Sequence, residues 1–227
     1  MTKTKALWEA RSKKYKKDVR GVLPKSFPGW LNRILHLWMY GQVKSQISTN
    51  KSQIILDLGC GYGRMAKEIL ENFPMAKVSG IDLSKTYVDI FNRDLSPRGK
   101  AQVGDIRKLP FRSSTFDVVF MVTTLMYVTN KKDQKRAVRE IFRVLKPGGR
   151  FVFIERNPIG HSLITLGGLI TKIRGRKYKE IEAVGFREMQ MGELISIGGG
   201  KVKEKLGFPF GRLLTPSLYI AYSGAKA

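Results

Sequence analysis

Residues 55–65 read ILDLGCGYGRM, an apolar run that ends in Asp57 and then places Gly59, Gly61 and Gly63 at alternate positions. A backbone without side chains directly after a buried strand can turn sharply, and it lets a ligand lie against the main chain. Two more carboxylates follow at the tips of later strands. Asp82 stands about 20 residues past the loop, where a carboxylate receives two ribose hydroxyls in dinucleotide and nucleoside sites alike. Asp105 ends the strand in VGDIRKLPF, where it could accept an amino-group hydrogen bond while Ile106 packs on an aromatic base. Plainer readings stand beside these: Asp82 as the cap of the next helix, a task that Ser84 could take, and Asp105 as a turn residue. Asp57 would orient the loop or accept hydrogen bonds from an ammonium group. A dinucleotide would want GxGxxG, but Arg64 occupies the position of its last glycine, so the spacing disfavours that cofactor class.

These residues need a scaffold, and apolar periodicity supplies one from residue 54 onward. Strands are predicted over 53–58, 76–83, 101–103, 116–122 and 150–155, with helices over 62–72, 85–94 and 131–145 between them. Alternating strands and helices imply a parallel sheet covered on both faces, the doubly wound α/β class. Ligands in such sheets sit at the carboxyl ends of the strands, so 57–63, 82–83, 104–106 and 121–127 should meet in one crevice. The C-terminal third is less regular: 184–196 and 216–224 read as strands, and Ser162–Ile173 reads as an apolar helix or lid. Two helices are predicted before the sheet, over 6–17 and 30–45.

The 227 residues suit one domain, read as a helical lid (1–50), a cofactor-binding core (51–155) and a substrate-side insert with closing strands (156–227). No apolar run approaches the roughly 20 residues that cross a bilayer. Met1–Ala10 lacks the apolar core of a secretory signal, and the single Cys60 allows no internal disulfide, so a reducing cytoplasm is the expected compartment. The outlier is charge: 42 Lys plus Arg against 18 Asp plus Glu give +24, which would suit an anionic membrane surface or RNA, or serve solubility alone.

Together ILDLGCGYG, GIDLS, GDIRKLPF, FDVVF and RVLKPGGRF, in that order, resemble the class I S-adenosyl-L-methionine-dependent methyltransferases, in particular the small-molecule and quinone C-methyltransferase group. The resemblance implies a Rossmann-like sheet of seven strands with the last antiparallel, VGF at 184–186 and the final strand forming its closing hairpin. It also implies site roles. Asp57, Gly59, Gly61 and Gly63 would line the methionine part of the cofactor, Asp82 and Leu83 the ribose, Asp105 and Ile106 the adenine, and Met121 with the residues after it the sulfonium. LWEARSKKY is similar to the family's opening helix, which makes Trp8, Arg11 and Tyr15 candidate lid residues.

The acceptor is less constrained. Methyl transfer is an in-line displacement that needs alignment and exclusion of water, and a base only where the acceptor must lose a proton. Tyr127 and His161 are the candidates for that proton, ahead of Tyr62, Glu155 and the more remote His36. FMVTTLMYV lacks the motif of base amino-methylation, Cys60 lies in the loop rather than facing a base, and no metal-ligand cluster is evident, so no metal is expected. A quinone- or lipid-like acceptor is expected ahead of RNA, with a non-catalytic cofactor-binding scaffold third. The apolar segments WLNRILHLWMY and SLITLGGLITKIRGRK, flanked by cations, would suit peripheral attachment to a membrane.

Overall fold

The computed structural model describes residues 3–25, 27–157, 183–186, 188–209 and 217–227. Strands β1 (Ile54–Leu58), β2 (Lys77–Asp82), β3 (Gly99–Val103), β4 (Phe116–Val122), β5 (Leu145–Arg156), β6 (Gly200–Phe208) and β7 (Tyr219–Lys226) form one sheet in the order β3-β2-β1-β4-β5-β7-β6. Pairings from β3 through β5 are parallel, whereas β7 runs antiparallel to both β5 and β6. The order reverses between β1 and β4, and this switch point is where a doubly wound sheet opens a crevice.

Helices α1 (Lys3–Tyr15), α2 (Gly29–Lys44), α3 (Arg64–Asn72), α4 (Lys85–Leu95), α5 (Lys131–Val144) and α6 (Glu188–Ile197) surround it. The central strands β1, β4 and β5 are mostly apolar on both sides, as parallel strands covered twice must be. Ile55, Val118, Phe120, Val152 and Ile154 share one cluster with residues of α2, α3 and α4. Leu56, Leu58, Val119, Met121, Phe151 and Phe153 join α5 and α6 on the other face. Ser84 caps α4 by accepting from the Tyr87 N–H, which frees Asp82 from that duty. Helix α3 begins at Arg64, two residues later than its periodicity suggests, because Gly61 and Gly63 hold positive φ of 53° and 86°.

The largest correction lies near the C-terminus. Residues 188–197 form a helix where a strand was predicted, and 184–186 belong to no strand. Met191, Leu194 and Ile195, spaced three and one apart, are the residues that this segment buries, and that spacing is one face of a helix. The hairpin is instead made by β6 and β7. Strand β6 reads GKVKEKLGF; its alternating charges blunt an exposed sheet edge and mask its strand character. His161 and the segment Ser162–Ile173 lie outside the described residues.

Candidate functional site

A cavity of about 220 Å³ opens at the carboxyl ends of β1, β2, β3 and β4. Gly59, Gly61, Asp82, Leu83, Asp105 and Ile106 all stand on its wall, so the predicted convergence of loop and strand tips is present. Asp82 Oδ2 accepts from the Gly61 N–H at 2.9 Å, and Oδ1 from the Ser84 N–H at 2.8 Å. The carboxylate thus ties the glycine loop to the tip of β2. Gly59 and Cys60 reinforce that tie by donating their N–H groups to the Ile81 carbonyl at 2.7 and 3.0 Å.

The three loop glycines do different work. A Cβ on Gly59 would fall 2.3 Å from Thr124 Oγ1, and one on Gly63 would fall 2.6 Å from Leu95 Cδ1. Only Gly61 of the three faces open space, with Val22 Cγ1 at 3.6 Å as the nearest atom. Two of these positions are therefore bare because protein packs there, and one because the cavity does.

Asp57, Gly63 and Met121 are not on the cavity wall. Asp57 is buried behind the loop, Gly63 turns the chain into α3, and strand alternation sends Met121 into the core below. Val122, Thr123 and Thr124 line the cavity at that point, and Thr123 holds a positive φ of 53°, a strained conformation for a β-branched residue. Asp105 is engaged by Arg107, whose Nε and Nη2 both reach its carboxylate and whose Nη1 reaches Asp133 at 2.6 Å. Burial would raise Asp105, but those hydrogen bonds outweigh it and hold the carboxyl below its usual range. Arg107 and Asp133 were not singled out in the sequence, although Arg107 sits two residues from Asp105.

Helix α1 roofs the cavity. Thr4 and Trp8 line it, and Trp8 meets Tyr127 edge-on with ring centroids 5.0 Å apart. Arg11 stacks on the far side of Trp8, while Tyr15 lies away from the wall, against Gly21 and under Lys25. The roof is fastened by Glu9, which accepts from the Ser84 hydroxyl at 2.8 Å and the Thr86 hydroxyl at 2.7 Å.

Residues 56–153 match the methyltransferase-domain family. A demethylmenaquinone methyltransferase of Lactiplantibacillus plantarum is 30% identical over 166 residues, covering 66% of this chain and 68% of that protein. The chain belongs to the class I S-adenosylmethionine-dependent methyltransferases. A demethylmenaquinone methyltransferase of Lactococcus lactis is 40% identical over 107 residues, 44% of this chain and 41% of its own. Four of the curated relatives are matched over only 35% to 56% of their length. Among solved structures, an S-adenosylmethionine-dependent methyltransferase of Methanosarcina mazei superposes with a TM-score of 0.65 at 24% identity, over 81% of this chain and 96% of that one. It shares the fold.

Three carboxyls of this methyltransferase stand at or behind the cavity, Asp57 and Glu155 buried and Asp82 half-buried. Burial pushes Asp57 and Glu155 each up to about 8 and Asp82 up to about 6, the last opposed by the Ser84 and Gly61 N–H groups. Glu155 ends β5 and accepts at Oε1 from the Thr124 and Leu125 N–H groups at 3.0 and 2.7 Å. It braces the segment that carries Thr124 and Tyr127. A raised carboxyl keeps a proton in the folded chain that the unfolded chain has released, so its contribution to stability is complete below the unfolded value and is lost as pH rises through the folded one. His36 acts oppositely below 6.5, since burial and the nearby Arg64 hold its pKa down. From pH 6.5 to 8 the carboxyl effect should therefore appear cleanly, on the order of 2 kcal/mol or roughly 5 °C in Tm for Glu155. Glu155→Gln keeps the accepting oxygen and is expected to lose less Tm than the wild type over that window. Parallel melting curves would show that Glu155 does not titrate there.

Proposed function

We propose that the chain transfers a methyl group from S-adenosylmethionine to a small or lipophilic acceptor, of quinone or lipid type, by in-line displacement. The observation that carries this reading is the cavity's mixed lining, which sets Asp82 and the bare Gly61 in one space with the apolar Trp8, Val22, Val122, Tyr127 and Val128. The residues fit the cofactor. Asp82, already fixed by two backbone N–H groups, retains lone pairs for ribose hydroxyls, and Leu83 and Ile106 offer apolar surface to the base. Asp57, buried behind the loop and off the cavity wall, is left the role of orienting the loop.

When bound, S-adenosylmethionine supplies a methyl group made electrophilic by its sulfonium. The chain's own task is to hold the acceptor in line and keep water out. Helix α1 serves as the cover, with Trp8 closing against Tyr127. The Tyr127 ring orients the acceptor on the apolar side, and its hydroxyl is the group we assign to the acceptor's proton or hydroxyl. The relatives named for demethylmenaquinone methylation support a quinone-like acceptor.

The test supplies labelled S-adenosylmethionine with either a lipid extract or total RNA. Label is expected in the lipid fraction. Label in RNA would overturn the acceptor class, and label in neither would overturn catalysis in favour of a binding scaffold. Trp8→Ala, which opens the cover, is expected to lower kcat/KM on the lipid fraction about 10–100-fold through lost alignment and admitted water.

A further inference from the structure

Helix α2 has two apolar faces, and the core uses one. Leu35, Met39 and Val43 are fully buried, whereas Trp30, Ile34 and Leu37 are 65%, 48% and 55% exposed. At about 100° per residue these three share one stripe with Gly41. Arg33 and Lys44, both exposed, fall along one edge of it, and α2 contains no Asp or Glu. Neither cation has an ion-pair partner among the described residues.

We propose that this stripe docks the protein on an anionic lipid bilayer, with Trp30, Ile34 and Leu37 entering the headgroup boundary and Arg33 and Lys44 meeting lipid phosphates. Charge selects this occupant over a second copy of the chain. A two-fold contact through α2 would join two copies of a chain carrying +24 through a helix that has no Asp or Glu to pair with Arg33 or Lys44. A tryptophan among exposed aliphatic residues with cations at the rim is the composition that settles at a membrane–water interface. From Trp30 to Gly41 the stripe is about 16 Å long, enough to lie on a surface. No helix among the described residues is long and apolar enough to cross a membrane.

Docking would also place the cavity close to lipid. Val22 is on its wall and α2 starts at Gly29, so no more than about 25 Å of chain separates them. Delivery of a bilayer-dissolved acceptor rests on the acceptor reading above; docking itself does not.

The experiment is flotation of the full chain with phosphatidylcholine vesicles, with and without phosphatidylglycerol, and needs no activity. Wild type is expected to float with the anionic vesicles. Trp30→Ser/Ile34→Ser/Leu37→Ser should cut its partition coefficient about a hundredfold while the chain stays folded with only a modest loss of Tm, because about half or more of each residue is exposed. Arg33→Gln/Lys44→Gln should cut it about tenfold on anionic vesicles only. Wild type that stays with the soluble fraction would overturn the proposal, as would a triple variant that floats like wild type. So would a triple variant that turns a dimer into a monomer without changing flotation, which assigns the stripe to a second copy. Binding to RNA with no binding to vesicles would overturn it as well.

Discussion

Asp82→Ala is expected to raise the Kd for S-adenosylmethionine at least about a hundredfold. Hydrogen bonds to a charged acceptor contribute about 1.5–3 kcal/mol each, and two ribose hydroxyls on one carboxylate would together contribute about 3–6 kcal/mol. The lower end of that range is the hundredfold floor. The substitution also releases the Gly61 and Ser84 N–H groups, so the loop loses its tie to β2 as the cofactor loses its anchor. Asp82→Asn keeps one accepting oxygen and should fall between the two. Titration calorimetry on both variants, with circular dichroism to confirm the fold, decides the matter. Wild-type affinity in Asp82→Ala would reduce Asp82 to a brace of the loop.

Gly59→Ala should cost about 2–5 kcal/mol of stability, and Gly61→Ala only about 1–2. Both positions hold positive φ, 71° and 53°, and share the cost of forcing an L side chain into that region. They differ in what the methyl group meets. At Gly59 it would strike Thr124, which cannot turn aside cheaply because its hydroxyl donates to the Leu58 carbonyl at 2.9 Å and its N–H to Glu155. At Gly61 it would enter open space beside Val22, where the cofactor is proposed to lie. Thermal melts should thus show a drop of roughly 10 °C for Gly59→Ala. Gly61→Ala should melt only about 5 °C below wild type yet bind S-adenosylmethionine more weakly. If both variants lose equal stability and equal affinity, the division of labour within the loop is wrong.

That division was not legible in the sequence, where alternate glycines invite a single explanation. The packing of Thr124 on Gly59 and of Leu95 on Gly63 joins residues tens of positions apart, and no local pattern reports it. Strands β1 and β4 were legible for the opposite reason: buried on both faces over most of their length, they read as apolar runs, IILDL and FDVVFMV, each interrupted by one Asp. Helix α6 reads as a strand because Gly192 interrupts it and EMQM alternates polar and apolar residues, while β6 hides behind edge lysines. Asp82, Asp105 and the loop could be expected on one cavity wall because strand tips converge in this fold; Arg107 and Asp133 could not, because their pairing spans 26 residues.

The fastening of α1 bears on how the site exchanges its contents. Glu9 and Ser84 are 75 residues apart, and the roof is the first helix of the chain, closing over a floor whose strands come later. Contacts of such long range close late in folding, and a helix fastened by only a few of them opens before the packed core does. Helix α1 can then open as its own cooperative unit, with a free energy below that of global unfolding, while the sheet beneath it keeps its register. A ligand that enters or leaves beneath Trp8 then needs only this thirteen-residue helix to lift.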